Sequence, residues 1–219
     1  MKKSIAIIGG GPSSLMLASV IDTAKYDVTI YEQNKTLGRK FLVAGKGGFN
    51  LTHSEEVSSF INHYIPVSFF SGIIQRFDNG DLQQWLKNAG IATYVGTSNR
   101  VFPLKEIKPI HVLNAFLNII NQKKINIKTQ HKWKGWTINN ELLFRNNHMD
   151  VFVKSDIVVF ALGGASWKVT GSDGSWLSYF EDKGVNTLPF QPSNCSFEIK
   201  WPEAFLKIAE GESLKNISI

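Results

Sequence analysis

The spacing of hydrophobic and polar positions changes several times along the chain. Residues 4–8, Ser-Ile-Ala-Ile-Ile, form a short β-branched apolar run that stops at glycine, the pattern of a strand buried on both faces of a parallel sheet. Gly9-Gly10-Gly11-Pro12-Ser13-Ser14 comes next, and Leu15, Leu17, Ala18 and Ile21 then fall on one helical face. Residues 27–32 return to strand spacing, with Val28 and Ile30 alternating. Strand, glycine turn, helix and strand in this order make one βαβ unit.

Residues 33–56 are a long connection rich in Gly, Lys and Asn with no clear period; uninterrupted loops of this length within a domain usually carry function. Helices are predicted near 55–64 and 67–77, and at 79–89, where Leu82, Trp85, Leu86 and Ala89 share a face before Gly90. Pro109 can open a further helix whose buried stripe is Leu113, Phe116, Leu117 and Ile120. From residue 125 the period becomes two. Strands are predicted at 125–129, 132–138, 142–145 and 151–154, the last three as an antiparallel meander with turns at Asn139-Asn140 and Asn146-Asn147. Residues 156–162 are again a continuous apolar run, ending at Gly163-Gly164, which predicts a second buried parallel strand. A short helix carrying Trp176, Leu177 and Phe180 closes before Gly184.

The first βαβ unit carries the clearest chemistry. Gly9 permits a tight turn out of the strand, Gly11 lets backbone approach a pyrophosphate, and the free amides of the helix N-terminus supply an anion site. Ser14 replaces the usual third glycine and is still small enough for close helix–strand packing. Glu32 closes the second strand 23 residues after Gly9, where a carboxylate can accept both hydroxyls of an adenosine ribose and would repel a 2′-phosphate. The expected ligand is therefore FAD or NAD rather than NADP. The segment after Glu32 favours FAD: the chain enters a long loop with Gly38-Arg39-Lys40 and Gly45 to Asn50, in which backbone amides and Arg39 or Lys40 could lie near a longer cofactor. The meander and the 156–162 strand after it fit a two-dinucleotide-binding flavoprotein.

Composition narrows the remaining classes. The 219 residues are 43% hydrophobic and 19% charged, which excludes a disordered or collagen-like chain. Three glycines interrupt the N-terminal apolar run before it reaches signal-peptide length, and no stretch approaches the ~18 apolar residues of a membrane helix. A cytoplasmic protein is expected. One cysteine, Cys195, and five scattered histidines give neither a disulfide nor metal-ligand spacing. Cys195 itself reads as a packed strand residue, and the tryptophans Trp133, Trp136, Trp167 and Trp176 as core. The net charge of +6 is concentrated between Lys123 and Lys154, where seven basic residues face Glu141 and Asp150. Only four of the 24 basic residues are Arg, so the excess reads as solvated strand faces, against a nucleic-acid interface.

Several segments together resemble the bacterial HI0933-like (YhiN/BaiN-type) flavoproteins. They are residues 7–12, 38–54, the run Arg100-Val101-Phe102-Pro103, residues 161–167, Thr170-Gly171-Ser172-Asp173-Gly174, and residues 192–197. The resemblance covers essentially the whole chain and implies an α/β, FAD-binding Rossmann-like fold with a β-meander and the start of a second, inserted domain. It further implies that Gly9, Gly11, Ser13 and Ser14 bind the pyrophosphate and that Glu32, with Gln33 beside it, holds the ribose. Arg39, Lys40, Gly45 and Asn50 would lie along the cofactor toward the flavin. Ala161, Leu162 and Gly163 would pass beside the adenosine or pyrophosphate. The run Lys46-Gly47-Gly48-Phe49 departs from the arginine-bearing sequence of many relatives, so charge near the flavin must come from elsewhere.

The resemblance implies an FAD-dependent oxidoreductase with NAD(P)H as reductant and a small-molecule substrate. A non-catalytic remnant with weak or no dinucleotide binding, and a flavoprotein acting on RNA, are the alternatives. Residues 1–187 are expected to form the FAD-binding domain and residues 188–219 to begin the inserted domain. No glycine–acid turn that would complete a flavin site comes after Gly184, so the chain is expected to be an N-terminal portion.

Overall fold

Strand β1 (Lys3–Ile8) lies at the middle of the main sheet, and α1 (Pro12–Val20) returns the chain to β2 (Tyr26–Tyr31), which pairs with β1 in parallel from Lys3↔Tyr26 to Ile8↔Tyr31. The computed structural model describes residues 1–43, 49–191, 200–209 and 211. The elements between the second strand and the meander are α2 (Arg39–Val43), β3 (Thr52–His53), α3 (Val57–Ile61), α4 (Val67–Ile74), α5 (Asn79–Asn88), β4 (Thr93–Val95), β5 (Arg100–Pro103) and α6 (Pro109–Gln122). After them come β6 (Asn126–Lys128), β7 (His131–Trp136), β8 (Leu142–Asn146), β9 (Met149–Val153), β10 (Ile157–Phe160) and α7 (Leu177–Glu181). The chain divides into two units, Met1–Leu188 and Pro189–Ile219; the second contains α8 (Glu203–Ala209).

The main sheet has the order β10-β1-β2-β6, all parallel. Alternation along β1 assigns its two faces, because successive side chains of a strand point to opposite sides. Ile5 and Ile7 join Leu15 and Ala18 of α1 and Val112, Leu113, Phe116 and Ile120 of α6 in one core. Ala6 and Ile8 face the meander, where Tyr31, Trp133, Leu142 and Phe144 form a second core. Each fully buried large side chain contributes about 1.5–3 kcal/mol. The 125–129 strand thus belongs to the parallel sheet as β6, while β7-β8-β9 form the expected meander. The β8–β9 turn falls on Asn147-His148, one residue later than its predicted position, because Asn146 and Met149 are paired.

Other expectations are corrected. The 33–56 connection is interrupted by α2 and β3, too short to leave a period. The helices expected at 55–64 and 67–77 stop at Ile61 and Ile74. β10 is not buried on both faces: Ile157 is exposed and Val158 to Phe160 half-buried, because β10 is the sheet edge among the described residues and has only β1 beside it. Strands β4 and β5, which form a small sheet of order β3-β5-β4, are additional to the predicted set. α5 is fixed at its start by Asp78, whose Oδ1 accepts from the amides of Gly80 and Asp81 at 2.8 and 2.9 Å while the Asp81 carboxylate accepts from the Asp78 amide, a reciprocal cap. Among the described residues no helix is long and apolar enough to cross a membrane.

Candidate functional site

The carboxyl ends of β1, β2 and β10 open into one cleft of about 970 Å³, its mouth included. A crevice at this position is where open α/β sheets bind ligands. Its floor is the glycine turn. Gly9 adopts φ +103°, and a Cβ there would stand 2.4 Å from the Ala161 carbonyl oxygen, so only glycine lets β10 approach. Gly11 caps α1 with ordinary extended backbone at φ −83°, yet nothing lies within 4 Å of where its Cβ would be. That open space adjoins the start of α1, where first-turn amides of a helix are unsatisfied.

Glu32 is 8% exposed, and its carboxylate is divided between two backbone features. One oxygen accepts from the Gly10 amide at 2.7 Å; the other accepts from the amide of Asn34 at 2.7 Å and from its side chain at 2.6 Å. Asn34 in turn accepts from Arg39 Nη1 at 2.8 Å. The His131 amide donates to the Glu32 carbonyl at 2.8 Å and ties the start of the meander to the end of β2. The opposite wall comes from residues after β10. Ser172 Oγ donates to the Leu162 carbonyl at 2.7 Å and accepts from the Ala165 amide at 3.2 Å. Two contacts cross the mouth: Lys40 Nζ donates to Ser166 Oγ at 2.7 Å, and the Gln33 side chain donates to the Gly171 carbonyl.

The cleft carries Arg39, Lys40 and Lys132 against Glu32 and Asp173, an excess of positive charge suited to phosphate. The Ser175 hydroxyl, and then its amide, hold the Asp173 carboxyl below its ordinary value. Burial raises the Tyr31 phenol, which remains a neutral hydroxyl stacked on Phe144 at 4.4 Å. Two buried polar atoms at this end of the sheet have no hydrogen-bond partner among the described residues, Ser14 Oγ and Trp133 Nε1. The cations of the cleft and the open helix end at Gly11 are complementary to the two phosphates of an acceptor-rich ligand. The residues present therefore fit a dinucleotide.

Of the residues singled out from the sequence, the structure brings Gly9, Gly11, Glu32, Gln33, Arg39, Lys40, Ala161, Leu162 and Gly163 to this cleft. Ser13 lies on a neighbouring groove beside β10, Ser14 is fully buried beneath the turn, and Asn50 lines a separate cavity against α3 and α5. Gly45 and Cys195 lie outside the described residues. Trp133 is core as expected, but Trp167 is 47% exposed and stands in the cleft wall. Sequence reasoning missed Asn34, His131, Asp173 and Tyr179, all of which line the cleft. A signal existed for Asn34, since an Asx residue two positions beyond a strand-ending acid is placed to bond it. The run from Thr170 to Gly174 supplied Asp173 but no role for it.

This is a Rossmann-like α/β domain with its crevice at the carboxyl ends of the parallel strands. The chain belongs to the HI0933-like family, whose Rossmann domain matches residues 3–201. It is 24% identical over 198 residues to the 3-dehydro-bile acid delta(4,6)-reductase of Clostridium scindens, covering 90% of this chain and 47% of that protein. Against the ribosomal RNA dihydrouridine synthase of Haemophilus influenzae the identity is 22% over 228 residues, covering 95% of this chain and 52% of that one. The chain thus spans about half the length of these curated relatives. The same fold occurs in the 3-ketosteroid-delta4-(5alpha)-dehydrogenase of Rhodococcus jostii, with a TM-score of 0.55 at 11% identity over 74% of this chain and 46% of that one.

Proposed function

We propose that this chain is the FAD-binding part of an oxidoreductase that saturates a carbon–carbon double bond conjugated to a carbonyl, with NAD(P)H as the reductant. The cleft built from Gly9, Gly11 and Glu32 supports the cofactor reading: an open helix N-terminus and a buried carboxylate stand side by side at the glycine turn that floors the crevice. The reaction class rests on the names of the two relatives, one reducing a steroid enone and the other forming dihydrouridine, a uracil ring saturated beside its carbonyl.

In this reading the first-turn amides of α1 and the side chains of Arg39 and Lys40 hold the pyrophosphate. The Glu32 carboxylate accepts from the ribose hydroxyls while it keeps the glycine turn in shape, and it excludes a 2′-phosphate by charge. Bound FAD supplies two-electron hydride chemistry that protein side chains lack. Tyr31, backed by the buried Phe144, and Trp133 would give the adenosine end an apolar wall that keeps water out. Residues 188–219 would begin an inserted domain, as the sequence predicts.

A small molecule is favoured over RNA as substrate. On the basic meander Arg145 is paired with Asp150 at 2.6 Å and Lys154 with Glu141 at 3.4 Å, and the cations that remain between Lys123 and Lys154 are all lysines, without the planar fork that suits bidentate phosphate and base contacts. Purification and a visible spectrum test the reading. A flavin spectrum near one equivalent, bleached by NADH or NADPH without oxygen, is expected; a folded protein that takes up no FAD contradicts it. RNA binding with a steep salt dependence would move the substrate to RNA.

A further inference from the structure

The run Arg100-Val101-Phe102-Pro103 has no part in the cleft. It forms β5, whose first residue pairs with His53 of β3, and Arg100 opens onto a second cavity of about 830 Å³, its mouth included, between the β3–β5 ladder and helices α3 to α5. Asn50 lies at its edge. The far wall is aromatic: Phe60 and Tyr64 meet edge-on with centroids 5.5 Å apart, and Phe77 stands beside them 43% exposed. Half-open aromatic rings in a concavity present flat apolar surface that water solvates poorly.

The charges around this cavity are unequally engaged. Asp78 caps α5 through both neighbouring amides. His53 Nε2 lies 3.1 Å from the Ser98 carbonyl, and its Nδ1 faces Glu55 at 3.1 Å. The Glu55 carboxylate also meets His63 Nε2 at 3.0 Å. Asn79, 6% exposed, staples the two sides by donating to the carbonyls of His53 and Glu55 at 2.7 and 2.8 Å, so the floor is fixed. Arg100 is the exception: its guanidinium has no hydrogen bond or ion pair among the described residues, and neither has the Asn50 side-chain amide. A planar cation left free beside an aromatic wall is complementary to a carboxylate borne on a ring system.

We propose that this cavity binds an organic acid with a flat apolar body, its carboxylate on Arg100 and its rings among Phe60, Tyr64 and Phe77. The assignment stands on this second cavity alone and does not depend on what occupies the first. Two probes of one shape test it on the full chain by calorimetry, 2-naphthoate and its uncharged analogue 2-naphthamide. Wild type binds naphthoate about fivefold more tightly than naphthamide, as expected for one partly solvated charge-assisted contact. Arg100→Gln removes that preference with the naphthamide affinity unchanged, Arg100→Lys retains part of it, and Phe77→Ser weakens both probes. Because Arg100 is exposed, the Gln variant keeps the wild-type melting temperature. Equal affinities in wild type, a preference that survives Arg100→Gln, or no binding of either probe would overturn the assignment.

Discussion

The Glu32 carboxylate accepts the amide proton of Gly10 at 2.7 Å across 22 residues of chain. The acid that ends β2 therefore fixes the shape of the glycine turn that ends β1. Fold and site share this contact, and removing it should be felt in both. Glu32→Ala leaves the Gly10 amide and the Asn34 side chain without their acceptor in a buried place, and is expected to cost about 1–3 kcal/mol of stability together with most of the FAD affinity. Thermal unfolding with and without FAD measures both losses. An unchanged melting temperature in the absence of FAD would show that the turn holds itself.

The two outer glycines of the turn should separate structure from binding. Gly9→Ala places a Cβ 2.4 Å from the Ala161 carbonyl oxygen at φ +103°, which is expected to destabilise the chain by about 2–4 kcal/mol. Gly11→Ala points its methyl into open space and should cost about 0.5–1 kcal/mol, the preference of an N-cap for glycine over alanine. It occupies the space through which backbone would approach a pyrophosphate, so FAD affinity should fall about tenfold or more. Chemical denaturation and flavin titration of the pair provide the check.

Lys40 and Ser166 meet across the mouth of the cleft at 2.7 Å. If Lys40 exchanges this partner for a phosphate, Lys40→Ala should weaken FAD about fivefold at low ionic strength, and the difference should shrink as salt is raised. Ser166→Ala should leave the affinity at or above wild type, since the lysine then has no partner to give up. Fluorescence quenching of FAD at two salt concentrations distinguishes these outcomes.

Asp156 joins β10 to β1 by accepting from the hydroxyl and the amide of Ser4, both at 2.7 Å. The Ser4 hydroxyl first, and then its amide, hold the carboxyl below its ordinary value of 3.8. A carboxyl with a depressed folded-state pKa contributes stability that is complete above its unfolded value and disappears as pH falls through the folded one. The advantage of wild type over Asp156→Asn should therefore be constant above about pH 5 and vanish progressively below pH 3.8, as read from unfolding midpoints across that range.

The first βαβ unit is legible in the sequence because its information is local. Within residues 4–32 the buried run, the glycines, Pro12 and Glu32 stand in one contiguous segment at the spacing of a βαβ unit, so the pattern shows even though Glu32 acts on Gly10 across 22 residues. The meander is legible for the same reason, from period-two spacing and Asn-rich turns. The features hidden from sequence are made by tertiary contact. His131 reaches the cleft through its bond to the Glu32 carbonyl, and Asp173 arrives on a loop folded back by Ser172. Strand β4 and helix α2, with three and five residues, are too short to display a period. The exposure of Trp167 cannot be read from a residue type that is usually buried. Family resemblance puts Asn50 along the cofactor, yet it lines the second cavity, against α3 and α5.

In the proposed function the cleft between β1, β2 and β10 binds FAD through an open helix N-terminus and Glu32. Titrating the purified chain with FAD, alongside Gly11→Ala at matched folding stability, tests it most directly. Wild type is expected to quench flavin fluorescence saturably at one-to-one stoichiometry, and the variant to lose about tenfold or more in affinity. Equal binding by both proteins, or no saturable binding by folded wild type, would contradict it.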